Sequence, residues 1–169
     1  MIYKKLLIRQ QRRNGQSYEY VGSAIDTQAE FNVVCQEFPF KVLPESKDLP
    51  KRDWYDENGE DFFMPSDGPK FKAYDLEVQF LYVGTEANMQ SDINNFIKFL
   101  YGQNVSGSPI MAVYDEYTKI GRQGIYVQSV DNELFTYDNV NEDVIARFKV
   151  KFRVTDPVTD VVLNLPNNG

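Results

Sequence analysis

The residues best equipped for chemistry cluster in one stretch, "DWYDENGEDFF", where Asp53, Asp56, Glu57, Glu60 and Asp61 surround Trp54-Tyr55 and lead into Phe62-Phe63. Carboxylates in pairs can serve as general acid and base, and in larger sets they supply oxygen ligands to a divalent cation. Two adjacent rings can offer a stacking platform for a sugar. The spacing does not match an EF-hand, whose ligands recur at fixed positions around a glycine and end in a glutamate. Mutually close carboxylates with no counter-group in the sequence favour solvated or interfacial charge over cation binding, and cation binding over catalysis. Asp115, Glu116 and Lys119 in "VYDEYTKIG" have the types for an acid-lysine site, but ordinary turn polarity accounts for them better.

Other chemistry is narrowed by what the chain lacks. It contains no histidine and one cysteine. That removes Ser-His-Asp and Cys-His arrangements and His-ligated zinc. Cys35 has no partner for an internal disulfide, and within "FNVVCQEF" it reads as a small buried hydrophobe in preference to a nucleophile. No Walker-type loop is present, and Gly121 and Gly124 in "KIGRQG" read as relaxing a turn. The residues therefore point to a chain that is not an enzyme, with no catalytic, cofactor-binding or metal-ligating residue assigned and no cofactor.

Composition supports a folded binding or assembly element. The 169 residues are 42% hydrophobic and 14% aromatic, too rich in core material for a disordered chain. A formal charge of -7 argues against bulk attraction to nucleic acid, so sequence-specific nucleic-acid binding is not expected. Lys4, Lys5, Arg9, Arg12 and Arg13 form a local basic arm, read first as a solvated strand face and second as a docking surface for an acidic partner. No apolar run approaches the roughly 20 residues that span a bilayer, and no signal peptide is recognisable, so the expectation is a chain made in the cytoplasm without membrane insertion.

The elements that must position these residues are mostly strands. "YKKLLIRQQ" reads as a strand closed by a turn at Asn14-Gly15, and "YEYVGSAI" and "FNVVCQEFPFKV" follow, with Pro39 and Pro44 placing the latter at an edge or a crossing between sheets. Residues 45–70 read as a long loop holding a hairpin or excursion, its aromatics expected to fold back onto the body. "YDLEVQFLYVG" alternates Tyr74, Leu76, Val78, Phe80 and Tyr82 against polar neighbours until Leu81 and Val83 make both faces apolar. The cover is expected from "NMQSDINNFIKFLYG", where Ile93, Phe96, Ile97 and Leu100 form a helical stripe, with Asn88 or Ser91 as cap and Gly102 at the exit.

"SPIMAVYDEY" and "KIGRQGIYVQSV" read as neighbouring strands, "DNELFTYDNVNED" as a turn, a short strand and a second turn. "ARFKVKFRVTDP" sets Ala146, Phe148, Val150, Phe152 and Val154 against Arg147, Lys149, Lys151 and Arg153. The trailing "NLPNNG" is apolar-poor and expected to fray. Without strand-helix alternation the pattern predicts a mainly β fold, an antiparallel β-sandwich or flattened barrel with one packed α-helix, as a single domain over residues 1–160 and a short tail over 161–169. Exposed edges and an aromatic loop in such a fold call for self-assembly. The residues expected at that interface are Trp54, Tyr55, Phe62 and Phe63, with Lys149, Lys151 and Arg153 as an exposed face. A carbohydrate- or ligand-binding β-sandwich module around Trp54 and Tyr55 is the alternative.

The order of "YDLEVQFLYVG", "SDINNFIKFLYG", "SPIMAVYDEYTKIGRQGIYVQSV" and "EDVIARFKVKFRVTDP" resembles the tail-tube-like domain of long-tailed bacteriophage proteins, above all the N-terminal ring domain of distal tail proteins. The family's ending "vkFrvtDP" is matched by Phe152, Asp156 and Pro157. The family's Arg-Asp-Gly-like turn is matched only by Arg52-Asp53, the glycine being displaced to Gly59. The resemblance covers roughly Phe31 to Pro157. It implies a homo-oligomer, a hexameric ring at the distal tail or baseplate of a phage or prophage, with the helix outside and strands toward the lumen, in contact with neighbouring tail or baseplate proteins and housed in the virion tail. A tail tube or tail completion protein shares much of this fold. Larger family members carry a further C-terminal domain, expected here to be missing.

Overall fold

The computed structural model describes residues 5–35, 38–137 and 146–167. Among them nine strands and one main helix occur in the order β1 (Leu6–Asn14), β2 (Ser17–Asp26), α1 (Thr27–Phe31), β3 (Val33–Cys35), β4 (Lys51–Arg52), β5 (Asp61–Phe62), β6 (Tyr74–Tyr82), α2 (Met89–Leu100), β7 (Ile110–Asp115), β8 (Ile120–Tyr137) and β9 (Ala146–Val154). A single turn of 3-10 helix, Glu86–Asn88, leads into α2. The fold is mainly β and antiparallel, as the alternation predicts. Seven strands form one sheet in the order β2-β1-β7-β8-β9-β6-β3, and β4 pairs only with β5.

The sheet curls without closing. Leu6 and Ile8 near one edge and Val33 and Cys35 at the other share one core with Phe80, Phe148, Phe152 and Met111. The result is sandwich-like, with β2 and β3 left as edges. Strand β9 alternates as its sequence requires: Phe148, Val150, Phe152 and Val154 are fully buried while the intervening basic residues are not. In β6 the register puts Phe80 opposite Phe148 and Leu76 opposite Phe152, so the large rings meet on one face. Cross-strand pairs of this kind are what fix the register of an antiparallel sheet.

Helix α2 plugs this face. Ile93, Phe96 and Leu100 are buried, and the Phe96 ring meets Phe80 at 5.1 Å, Phe31 at 5.5 Å and Phe148 at 6.1 Å between centroids. Burying each such side chain contributes about 1.5–3 kcal/mol. Asn88 holds the N-cap position without a side-chain cap bond, and Gly102 follows the helix with φ 72°, the left-handed exit that glycine makes without strain. The start is held from outside: the Tyr82 hydroxyl has its one proton between two acceptors, Asp92 Oδ2 at 2.8 Å and the Thr85 carbonyl at 2.9 Å, and Asn32 Nδ2 donates to the Asp92 carboxylate at 3.1 Å. Burial of the phenol, reinforced by the adjacent Asp92 carboxylate, pushes Tyr82 up to about 12. The helix covers the Phe80 side of β6 only. Leu81 lies on the opposite face, in a small cluster with Val34 and half-buried Val83.

Several departures from the sequence reading have local causes. β8 is one strand of 18 residues, joining segments that read as separated by a turn, while the second expected turn lies outside the described residues. It pairs with β7 through its first part and with β9 from Ile125 onward, with an irregularity between Asp131 and Thr136. Gly121 and Gly124 lie inside it and not in a turn. A Cβ on Gly121 would stand 1.9 Å from the Val161 carbonyl oxygen, so the glycine admits the C-terminal segment to the sheet. That segment is held firmly: the Val161 amide donates to the Gly121 carbonyl, and buried Arg122 donates to the Pro157 carbonyl at 3.1 Å and to Asp160 Oδ1 at 2.6 Å. Val161 and Leu163 are buried against Leu7, Ala24 and Ala112, with Leu165 half-buried beside them. The start of "NLPNNG", expected to fray, is therefore packed as far as Leu165. No helix among the described residues is long and apolar enough to cross a membrane.

Candidate assembly surface

The long segment after Pro44 is a two-stranded arm. Its foot is an antiparallel bridge between Ser46 and Phe71, fixed by Lys47 N donating to the Lys70 carbonyl and Lys72 N to the Glu45 carbonyl. Further out, Lys51 pairs with Phe62 and Arg52 with Asp61, and Phe63 N donates to the Pro50 carbonyl. Because β4 and β5 hydrogen-bond to each other and not to the main sheet, the ribbon needs no partner on the body. The hairpin reading is thus confirmed at the expected place.

Its aromatics do not fold back. Tyr55 is 100% exposed, Phe63 63%, Phe62 60%, and Trp54 and Met64 are each 43% exposed. Trp54 is held by local contacts: Nε1 donates to Asp61 Oδ2 at 3.2 Å, and the Arg52 guanidinium lies 5.4 Å from the ring centre. These contacts orient the indole and leave it partly open to solvent. The rings thus form an open apolar patch on an otherwise polar ribbon.

Asp53, Asp56, Glu57 and Glu60 are all exposed at the tip, and Asp61 is committed to Trp54. Among the described residues no group of three or more carboxylate or cysteine side chains converges as a metal site. The Asp115, Glu116 and Lys119 set is a turn: Asp115 accepts from the amides of Phe38 and Tyr117, Glu116 accepts from the Lys5 amide, and Lys119 adopts φ 61° with its amide on the Asp115 carbonyl. Cys35 is buried, as its neighbours predicted.

Lys149, Lys151 and Arg153 lie on the outer face of β9, on an element separate from the arm. Their charges are met by β6: Lys149 Nζ is 3.2 Å from Glu77 Oε1, Lys151 Nζ 3.8 Å from Asp75 Oδ2, and Arg153 Nη1 3.0 Å from Asp75 Oδ1. Arg153 stands directly opposite Asp75, and Lys149 reaches Glu77 diagonally. The hydrogen bond from Arg153 holds the Asp75 carboxyl below the ordinary carboxylate value, against the effect of burial. Such exposed pairs contribute little stability, but they offset part of the positive charge that the β9 sequence alone presents.

The basic residues of β1 are likewise local in part. Arg9 lies 4.2 Å over the Tyr20 ring and donates to the Gly22 carbonyl at 2.8 Å, and Arg13 donates to the Gly15 carbonyl at 3.0 Å. Lys4 lies outside the described residues. The hairpin turn falls one residue beyond the expected pair: Asn14 pairs with Ser17, and Gly15 and Gln16 form the turn, with Gly15 at φ 61°.

No family model matches the chain, and no curated protein matches it. Among solved structures it is similar to the Dit protein of phage SPP1, described as "a Paradigm of Hub Adsorption Apparatus in Gram-positive Infecting Phages", with a TM-score of 0.47 and 14% sequence identity over 90% of this chain and 50% of that one. The chain thus spans about half the length of that structure. A likeness of this depth fixes neither family nor function.

Proposed function

We propose that this chain is a non-enzymatic structural subunit of a phage or prophage tail that assembles as a ring at the distal tail or baseplate. The observation that carries the reading is the projecting ribbon with Tyr55 fully exposed and Trp54, Phe62 and Phe63 open beside it. The sequence order from "YDLEVQFLYVG" to the Asp156-Pro157 ending supplies the family resemblance, and the sandwich with one helix after a long strand agrees with it. In this reading the arm makes the contact between subunits, and the charge ladder of β6 and β9 offers a polar sheet face that does not demand burial. Incorporation is tested by co-expressing the chain with neighbouring tail proteins and examining purified particles by electron microscopy. Rings or tail tips containing the chain support the reading, and its complete exclusion from them refutes it.

A second reading is favoured by one observation, the exposed Trp54 and Tyr55 beside free carboxylates: the arm tip binds a carbohydrate. Binding across a glycan panel that disappears in a Trp54→Ala/Tyr55→Ala variant supports it, and no binding to the panel argues against it.

A further inference from the structure

Among the described residues two asparagines are followed by glycine, in the pairs Asn14-Gly15 and Asn58-Gly59. Such a pair lays an asparagine side chain open to its own backbone: with no Cβ on the next residue, the following amide nitrogen can reach the carboxamide carbon. The two sites are sterically alike. All four residues are exposed, Gly15 holds φ 61° and Gly59 φ 76°, and a Cβ on either glycine would meet nothing within 4 Å. They differ in the bonds that hold them.

Asn14 is tied at both ends. Its Nδ2 donates to Glu19 Oε1 at 2.6 Å, its carbonyl accepts from Ser17 Oγ at 2.9 Å, and its backbone forms the last rung of the β1–β2 ladder opposite Ser17. Asn58 stands in the arm tip, beyond the last β4–β5 pair of Arg52 with Asp61. Among the described residues neither its carboxamide nor the Gly59 amide makes a hydrogen bond; the neighbouring bond in the tip runs from Glu57 N to the Trp54 carbonyl at 3.3 Å. The Asn58 carboxamide can therefore turn onto the Gly59 nitrogen without breaking a bond.

We propose that Asn58 is a site of spontaneous covalent modification with water as the co-reactant. The Gly59 backbone nitrogen gives up its proton to solvent and bonds to Cγ of Asn58; the Cγ–Nδ2 bond breaks, and the amide nitrogen takes up a proton and leaves as ammonia. The product is a five-membered cyclic imide. Water opens it by cleaving the Gly59 nitrogen from Cγ, which gives aspartate, or from the main-chain carbonyl carbon, which gives isoaspartate. Nothing is oxidised or reduced. Either product adds one negative charge to a chain of formal charge -7, on the tip that carries the open rings of Trp54 and Tyr55, and isoaspartate also lengthens the backbone there by one carbon. At Asn14 the same route must first break the hydrogen bond to charged Glu19, so conversion there is slower by about tenfold or more. The chemistry goes beyond the tail reading and does not depend on it.

The test incubates the folded full chain in mildly alkaline buffer and follows the peptides around positions 14 and 58 by digestion and mass spectrometry, with fragmentation that separates aspartate from isoaspartate. The peptide holding Asn58 should convert to a mixture of the two acids about tenfold or more ahead of the peptide holding Asn14. Asn58→Gln should abolish conversion at that position, because the longer side chain would have to close a six-membered ring. Glu19→Ala, which frees the Asn14 carboxamide, should bring Asn14 toward the rate of Asn58. The proposal is overturned if Asn58 keeps its amide, if it yields no isoaspartate, or if Asn14 in the wild type converts as fast as Asn58. An unchanged Asn14 rate in Glu19→Ala overturns the account of why the two sites differ.

Discussion

Replacing residues 48–69 by an Asn-Gly turn that joins Lys47 directly to Lys70 separates the two roles that the arm can have, core component or appendage. The Lys47–Lys70 hydrogen bond already brings the two ends together, and Asn-Gly closes a two-residue hairpin well. The deletion removes Trp54, Tyr55, Phe62, Phe63 and Met64, none of which belongs to the buried core. Loop closure gains slightly: shortening from about 20 residues to two is between three and four halvings at roughly 0.6 kcal/mol each, an upper bound near 2 kcal/mol because the ribbon is already partly ordered by its own pairing. Thermal unfolding followed by circular dichroism should therefore show an unchanged or slightly raised midpoint, while association measured by sedimentation at rising concentration should be lost. A midpoint lowered by more than about 3 °C, equivalent to roughly 1 kcal/mol in a domain of this size, would show that the arm packs on the body and would refute its assignment as a free docking element.

Three further outcomes follow from the body of the fold. Phe96→Ala, which empties a site ringed by Phe31, Phe80 and Phe148, should cost about 3–5 kcal/mol in denaturant unfolding, whereas Trp54→Ala should stay within about 0.5 kcal/mol. Tyr82→Phe removes the bonds to Asp92 and the Thr85 carbonyl and should cost about 1–3 kcal/mol. Because the Tyr82 phenol is raised from 10.0 to about 12 in the fold, its contribution is complete below pH 10 and lost as pH rises toward 12, so wild type should lose that advantage over the variant across this window in alkaline melting curves. Asp75 is held low by Arg153, so its contribution is present above the ordinary carboxylate range and lost as pH falls through its lowered folded value; Asp75→Asn should flatten the acid side of the stability profile.

Period was the most readable signal in the sequence. Tyr74 to Tyr82 and Ala146 to Val154 alternate strictly enough to fix both strands and their buried faces, and Ile93, Phe96 and Leu100 mark the helix because their spacing admits no strand. What escaped was set by tertiary contact. Val161, Leu163 and Leu165 do alternate, but the covered face becomes evident only once Arg122 and Gly121 are seen beneath the segment. The five residues of α1 are too few for a periodic signal, although the cap bond from Gln28 N to Asp26 Oδ1 at 3.0 Å has a recognisable donor-acceptor pair in the sequence. Composition located the arm, while the usual burial of large rings pointed the wrong way for Trp54 and Tyr55. A ribbon that satisfies its own hydrogen bonds can carry rings into solvent, and the sequence does not distinguish that from a hairpin folded down.

Closure into a ring is the claim on which the functional account rests, and electron micrographs of the chain purified with its tail neighbours test it most directly. The account predicts closed rings of sixfold symmetry that disappear when residues 48–69 are replaced by the short turn. Particles that remain single subunits, with the chain excluded from every tail assembly, would contradict it.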